Sequence, residues 1–190
     1  AEDAASLTGV FTAELPTIDK AQFHVEQAAL GEQATPIIIT QSEYMRRMKD
    51  ASRYQQGMSF YGEMPDMYNV VLNADHRLVK EVLADMKSNL ADKLQPIESE
   101  LKGLHARHTA IEQGQKDKKP EELTDADKAD MKECNEAIAA QEEARKKVWA
   151  EYGKQNPIVP QLIDLALLQN GLLRGEALSK FINRSVDLIK

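Results

Sequence analysis

The sequence predicts an α+β fold, and three observations predict it. Short apolar–polar alternations and one β-branched run occur in the first 75 residues. A charged stretch follows with apolar residues at helical spacing, and the end of the chain is apolar at helical spacing almost to its last residue. The expected architecture is a small mixed sheet with an amphipathic helix (1–75), a helical hairpin (76–153) and a pair of terminal helices (154–190).

Taken in order, residues 11–15 and 22–26 alternate apolar and polar and predict short strands. Pro36-Ile-Ile-Ile-Thr40 is a β-branched run and predicts a buried strand; residues 68–72, Tyr-Asn-Val-Val-Leu, predict another. Between them residues 42–54 predict a helix capped by Thr40 or Ser42. From Leu83 through Met86, Leu90, Leu94, Ile97, Leu101, Leu104 and His108 to Ile111 the apolar spacing alternates threes and fours, close to a heptad seam. Pro96 lies inside this seam and predicts a kink or interruption. The break falls at 114–123, and Thr124 caps the next helix, with Asp125 and Asp127 at its positive end. Met131, Cys134, Ile138, Val148 and Tyr152 continue a seam, so the two stretches read as an antiparallel hairpin with a charged tip.

The terminal pair breaks at Asn170–Gly171 and again near Gly175. Its first helix is apolar around most of its circumference, through Leu162, Ile163, Leu165, Ala166, Leu167 and Leu168. Its second places Leu178, Phe181, Ile182, Val186 and Ile189 on one stripe. The predicted cover for these faces is a second copy of the chain.

Composition excludes several classes. A net charge of -7 without a basic stripe argues against duplex nucleic acid as a partner. One cysteine, Cys134, excludes an internal disulfide framework or a multi-Cys zinc site and fits a reducing, cytoplasmic setting. No apolar run reaches the roughly 20 residues that span a bilayer, so no membrane partner is expected. The start at Ala1, without Met, reads as a piece of a longer protein or a processed chain.

Catalytic signals are absent: no phosphate-cradling glycine loop and no nucleophile elbow occur. His105, His108 and Glu112 could share a helix face and hold a metal weakly, but His108 falls on the seam and a third ligand is lacking. No metal site and no catalytic residue is assigned. The unusual chemistry is apolar: five of the seven Met residues lie between 45 and 67, with Tyr44, Phe60 and Tyr61 among them and Arg46, Arg47, Lys49 and Arg53 alongside. Met adapts to varied apolar partners, although a Met stripe can equally pack on a sheet.

Glu43-Tyr-Met-Arg-Arg-Met-Lys49, Gly57-Met-Ser-Phe-Tyr-Gly-Glu-Met-Pro-Asp66, Leu72-Asn-Ala-Asp-His-Arg-Leu-Val-Lys80 and Leu162-Ile-Asp-Leu-Ala-Leu-Leu168 resemble the C-terminal dimerization domain of the heat-shock protein 90 family in its bacterial form. Asn73, Asp75 and His76 match the most specific element. The resemblance covers about 36–83 and 158–189, while 84–153 departs from it as a helical insertion whose role it leaves open.

The resemblance implies a homodimer through a four-helix bundle of the terminal helices, with Leu162, Leu165, Ala166, Leu168, Leu172, Leu178, Phe181, Ile182, Val186 and Ile189 at the interface. It implies contact with unfolded or partly folded client proteins through Tyr44, Met45, Met48, Met58, Phe60 and Tyr61. It places ATP, magnesium and the ATPase chemistry in a separate N-terminal domain, so this segment itself needs no cofactor. By the same resemblance, the whole is expected to be a stress-response chaperone that assists protein folding. The competing reading is a stand-alone coiled-coil protein whose hairpin binds a partner; a small metal protein using His105 and His108 is the third.

Overall fold

The computed structural model describes residues 2–52, 54, 64–116 and 123–189. Among them are six helices and a three-stranded sheet: α1 (Glu2–Glu14), β1 (Ala21–Ala28), β2 (Ile37–Gln41), α2 (Glu43–Ser52), β3 (Asp66–Asn73), α3 (Arg77–Gln115), α4 (Asp125–Gln155), α5 (Ile158–Gln169) and α6 (Gly175–Ile189). The sheet is mixed, as expected. β3 lies in the middle, parallel to β1 (Val25 opposite Val70) and antiparallel to β2 (Ile39 opposite Val70).

One sheet face carries Phe23, Val25, Ile37, Ile39, Val70 and Leu72 into the core. That core also takes Leu7, Val10 and Phe11 from α1, Val79, Val82, Met86, Leu90 and Leu94 from α3, Trp149 and Tyr152 from α4, and Val159, Leu162, Ile163, Ala166 and Leu167 from α5. All three sequence segments therefore feed one apolar cluster, while α2, the outer half of α6 and the outer length of the hairpin lie outside it.

Two expectations are corrected. Residues 11–15 are not a strand; residues 11–14 are the last turn of α1. Leu7, Val10 and Phe11, spaced by three and one, share a helix face that is 0–1% exposed, and this burial outweighs a five-residue alternation. Pro96 does not interrupt its helix, which runs 39 residues through it. Pro96 is exposed, and so is Asp92, whose carbonyl the ring deprives of a donor; on that face water can satisfy it.

The hairpin is antiparallel as predicted. Its arms are cross-linked in register by Arg145 on Glu98 at 3.2 Å, Gln141 on Glu100 at 2.7 Å, Cys134 Sγ donating to the Leu104 carbonyl at 3.5 Å, and Arg107 paired with Asp130. Thr124 and Asp127 form a reciprocal cap at the start of α4. α1 lies against the base of α4, where Gly9 faces the Trp149 ring: a Cβ at Gly9 would stand 2.3 Å from that ring, so only glycine permits this crossing.

The strand-to-helix corner is held by Asn73, which is 0% exposed. Its Nδ2 donates to the carbonyls of Gly31 (2.8 Å) and Thr35 (3.3 Å), and its Oδ1 accepts from the backbone N–H of Leu30 and Asp75, both at 3.1 Å. Asp75 accepts from the Gly31 N–H at 2.9 Å, and His76 Nδ1 accepts from the Leu78 N–H at 3.1 Å, capping α3. Asn73→Ala leaves several buried backbone groups without partners, each costing about 1–3 kcal/mol. The expected result in urea denaturation is a loss of at least about 2 kcal/mol, with Asn73→Asp no better because a carboxylate cannot donate.

Candidate functional site

Two surfaces carry the predicted site residues. The first is α2. Ser42 starts it, its carbonyl accepting from Arg46 N–H at 3.0 Å, and Glu43 pairs with Arg47 at 2.6 Å. No residue of α2 is buried. The helix is tethered to β3 by Lys49, whose Nζ donates to Asp66 Oδ1 at 2.9 Å and to the Met64 carbonyl at 3.3 Å. Tyr44 is 66% exposed, whereas Met45 and Met48 are half-buried. Met45 lines a crevice between α2 and β3 together with Met64, Pro65 and Met67. The structure thus brings Met45, Met64 and Met67 into one thioether surface beside exposed Tyr44, and Met64 and Met67 are additions to the expected set. Met58, Phe60 and Tyr61 lie outside the described residues.

The second surface is the terminal pair. α5 packs Val159, Leu162, Ile163, Ala166 and Leu167 into the chain's own core. The expected interface residues Leu162 (4% exposed) and Ala166 (2%) are therefore spent within the chain. Leu165 and Leu168 remain exposed at the same helix end. Leu172, Leu178 and Phe181 are half-buried and pack against the core. α6 buries no residue of its own, and Ile182, Val186, Leu188 and Ile189 are 51%, 49%, 60% and 85% exposed. Leu188 was missed because its position in the helical repeat falls at the edge of the stripe.

The terminal pair is joined to the hairpin base. Tyr152 Oη donates to Asp85 at 2.6 Å and accepts from Asn156 Nδ2 at 2.9 Å. Asn156 Oδ1 accepts from the N–H groups of Ile158 and Val159 at 2.9 and 3.3 Å, so the same side chain caps α5. Burial, and then the bond to Asp85, raise the Tyr152 phenol well above its ordinary value. It stays protonated and acts as a fixed donor rather than an acid–base group. These residues line a polar cleft of about 540 Å³ with Glu81, Lys93 and Glu151.

The other chemistry stays structural. His108 Nδ1 lies 3.7 Å from Glu112, and among the described residues no group of three or more His, Cys, Asp or Glu is placed to hold a metal. Asp127 caps α4 and Asp130 pairs with Arg107. No described helix is long and apolar enough to cross a membrane.

Removing the phenolic oxygen tests the joint. Tyr152→Phe loses a hydrogen bond to a carboxylate, worth about 1.5–3 kcal/mol. Denaturant titration should show a loss in that range, and hydrogen exchange should show faster exchange at the start of α5 than in the sheet.

Known proteins with similar sequences point one way. The chain is 46% identical over 184 residues to the chaperone protein HtpG of Bacteroides fragilis, which matches 97% of this chain. It is 44% identical over 188 residues to HtpG of Bacteroides thetaiotaomicron and 43% identical over 188 residues to HtpG of Porphyromonas gingivalis. It spans only 27–28% of the length of these relatives. The matches run through the hairpin, so these relatives carry a corresponding stretch there. No family model and no solved structure matches the chain.

Proposed function

This chain is a homologous segment of the HtpG chaperones of the heat-shock protein 90 family, and from that premise we propose that it joins two protomers and contacts unfolded clients within an ATP-dependent chaperone. ATP and magnesium belong to parts of the protein outside this segment, and the setting is the cytoplasm. The observation that carries the reading is α6. A fifteen-residue helix that buries none of its residues and exposes Ile182, Val186, Leu188 and Ile189 is stable only when that face is covered. A second copy covers it with its own α6, and a twofold interface repeats each contact. The hairpin's seam is closed between its own arms, which leaves association to the terminal helices rather than to the hairpin.

Sedimentation of the chain at micromolar concentration tests the dimer. The expected result is a dimer that Ile182→Glu with Val186→Glu converts to folded monomers, because both positions are exposed within the protomer and their change leaves the core intact. A monomeric parent chain ends the reading.

The α2 surface is tested separately. Tyr44, Met45, Met64 and Met67 offer aromatic and thioether contact beside Arg46 and Arg47, which suits extended apolar segments of acidic polypeptides. Tyr44→Ser, Met45→Ser and Met48→Ser together should weaken capture of a chemically unfolded polypeptide, read by fluorescence anisotropy. Because the two Met residues are half-buried, each should cost less than the ~2–5 kcal/mol of a fully buried large side chain. Unchanged capture, or a cost in that full range, removes α2 from the client surface.

A further inference from the structure

α6 has little apolar hold on its own protomer. A five-residue turn, 170–174, connects it to α5; Gly171 within the turn and Gly175, the first residue of α6, have positive φ of 67° and 60°. Its apolar anchors, Leu178 and Phe181, are both in its first half. Farther along, the contact with α5 is polar. Gln161 Nε2 donates to Ser185 Oγ at 2.7 Å, Arg184 Nε donates to Gln161 Oε1 at 3.4 Å, and Arg184 pairs with Asp164. The Asp164 side chain is only 18% exposed.

The positions of these groups give the cluster its meaning. On α5, Gln161, Asp164, Leu165 and Leu168 follow the i, i+3, i+4, i+7 pattern and share one face. On α6, Arg184 stands two residues from both Ile182 and Val186, so it points to the other side of the helix from them. The polar cluster thus ties α6 to α5 from a side that leaves the stripe of Ile182 and Val186 exposed. A short helix held only at its first half frays toward its end. That end carries Val186, Leu188 and Ile189.

We propose that Asp164 and Arg184 are positioning residues for the homodimer: their pair, braced by Gln161 and Ser185, fixes the outer half of α6 within each protomer so that its apolar stripe meets a second copy already ordered. This rests on the dimer reading above and deepens it. An interface ordered beforehand does not spend association energy on ordering the helix, so the pair raises affinity without having to touch the partner. Each protomer carries one pair, so one substitution acts twice in a dimer.

The test uses the full chain and five samples beside wild type. Asp164→Asn and Arg184→Gln should each weaken the dimer by about tenfold or more in sedimentation equilibrium, with far-UV circular dichroism and hydrogen exchange of the β3 core unchanged. The exchange Asp164→Lys with Arg184→Glu in one chain should restore most of the affinity that Asp164→Lys alone removes. A mixture of Asp164→Lys chains with Arg184→Glu chains should stay weak. In that mixture the charges complement only between protomers, so recovery of the dimer there means the pair acts across the interface and overturns the proposal. Wild-type affinity in Asp164→Asn and Arg184→Gln also overturns it, while leaving the dimer itself standing. A monomeric wild type ends the dimer reading and this inference with it. A core whose exchange accelerates in both single variants assigns the pair to general stability and overturns its positioning role.

Discussion

The amide of Asn73 is the interaction on which the rest of the molecule depends. It closes the end of β3, the 29–36 loop and the first residues before α3 on one another. The site demands a side chain that accepts through one atom and donates twice through another, at zero exposure, and asparagine is the residue short enough to do so from this corner. With Asp75 holding Gly31 and His76 capping α3, the corner sets the direction of a 39-residue helix. A helix of that length is roughly 60 Å long. A few degrees of slack at its base would move the hairpin tip by several ångströms, so a rigid corner is worth a fully buried polar network.

Apolar surface is then divided between the chain's own core and the outside. α5 is greasy on nearly every side, and its division is decided by neighbours: α1, the sheet and the hairpin base take Val159, Leu162, Ile163, Ala166 and Leu167. The close crossing at Gly9 lets α1 lie on Trp149 and complete that cover. Asn156 ties the division in place, because it bonds Tyr152 in the hairpin and caps α5 with the same side chain. α6 lies beyond this enclosure, and its outer stripe stays exposed.

Periodicity made the hairpin, its break and its Thr124 cap legible, since heptad spacing and a capping residue are local signals. β1, β2 and β3 were legible from alternation and β-branching. α1 was not: residues 11–15 alternate by chance, and the helical spacing of Leu7, Val10 and Phe11 is short enough to be overlooked beside it. Helical spacing also could not say which leucines of α5 face inward, because a helix apolar all round has no preferred side until its neighbours are known. The Asn-x-Asp-His element stood out by resemblance, but its reason appears only in three dimensions, where it proves to be a structural corner. The Arg184–Asp164 pair spans two helices and a turn, a separation at which sequence spacing carries no signal.

α2 and α6 turn out to be built alike. Each is an amphipathic helix that buries no residue, and each is tied to the scaffold by a partly buried ion pair, Lys49 with Asp66 and Arg184 with Asp164. A helix that gives its apolar residues to the core cannot also offer them to a partner. One that keeps them outside needs another anchor, and a charged pair holds it without consuming apolar surface. Such an anchor is also softer than packing, since solvent and salt weaken it. Under the proposed function that softness would suit α2, where varied clients would call for an adaptable surface. In α6 it is offset by the brace of Gln161 and Ser185, as the proposed pairing with a second copy would require.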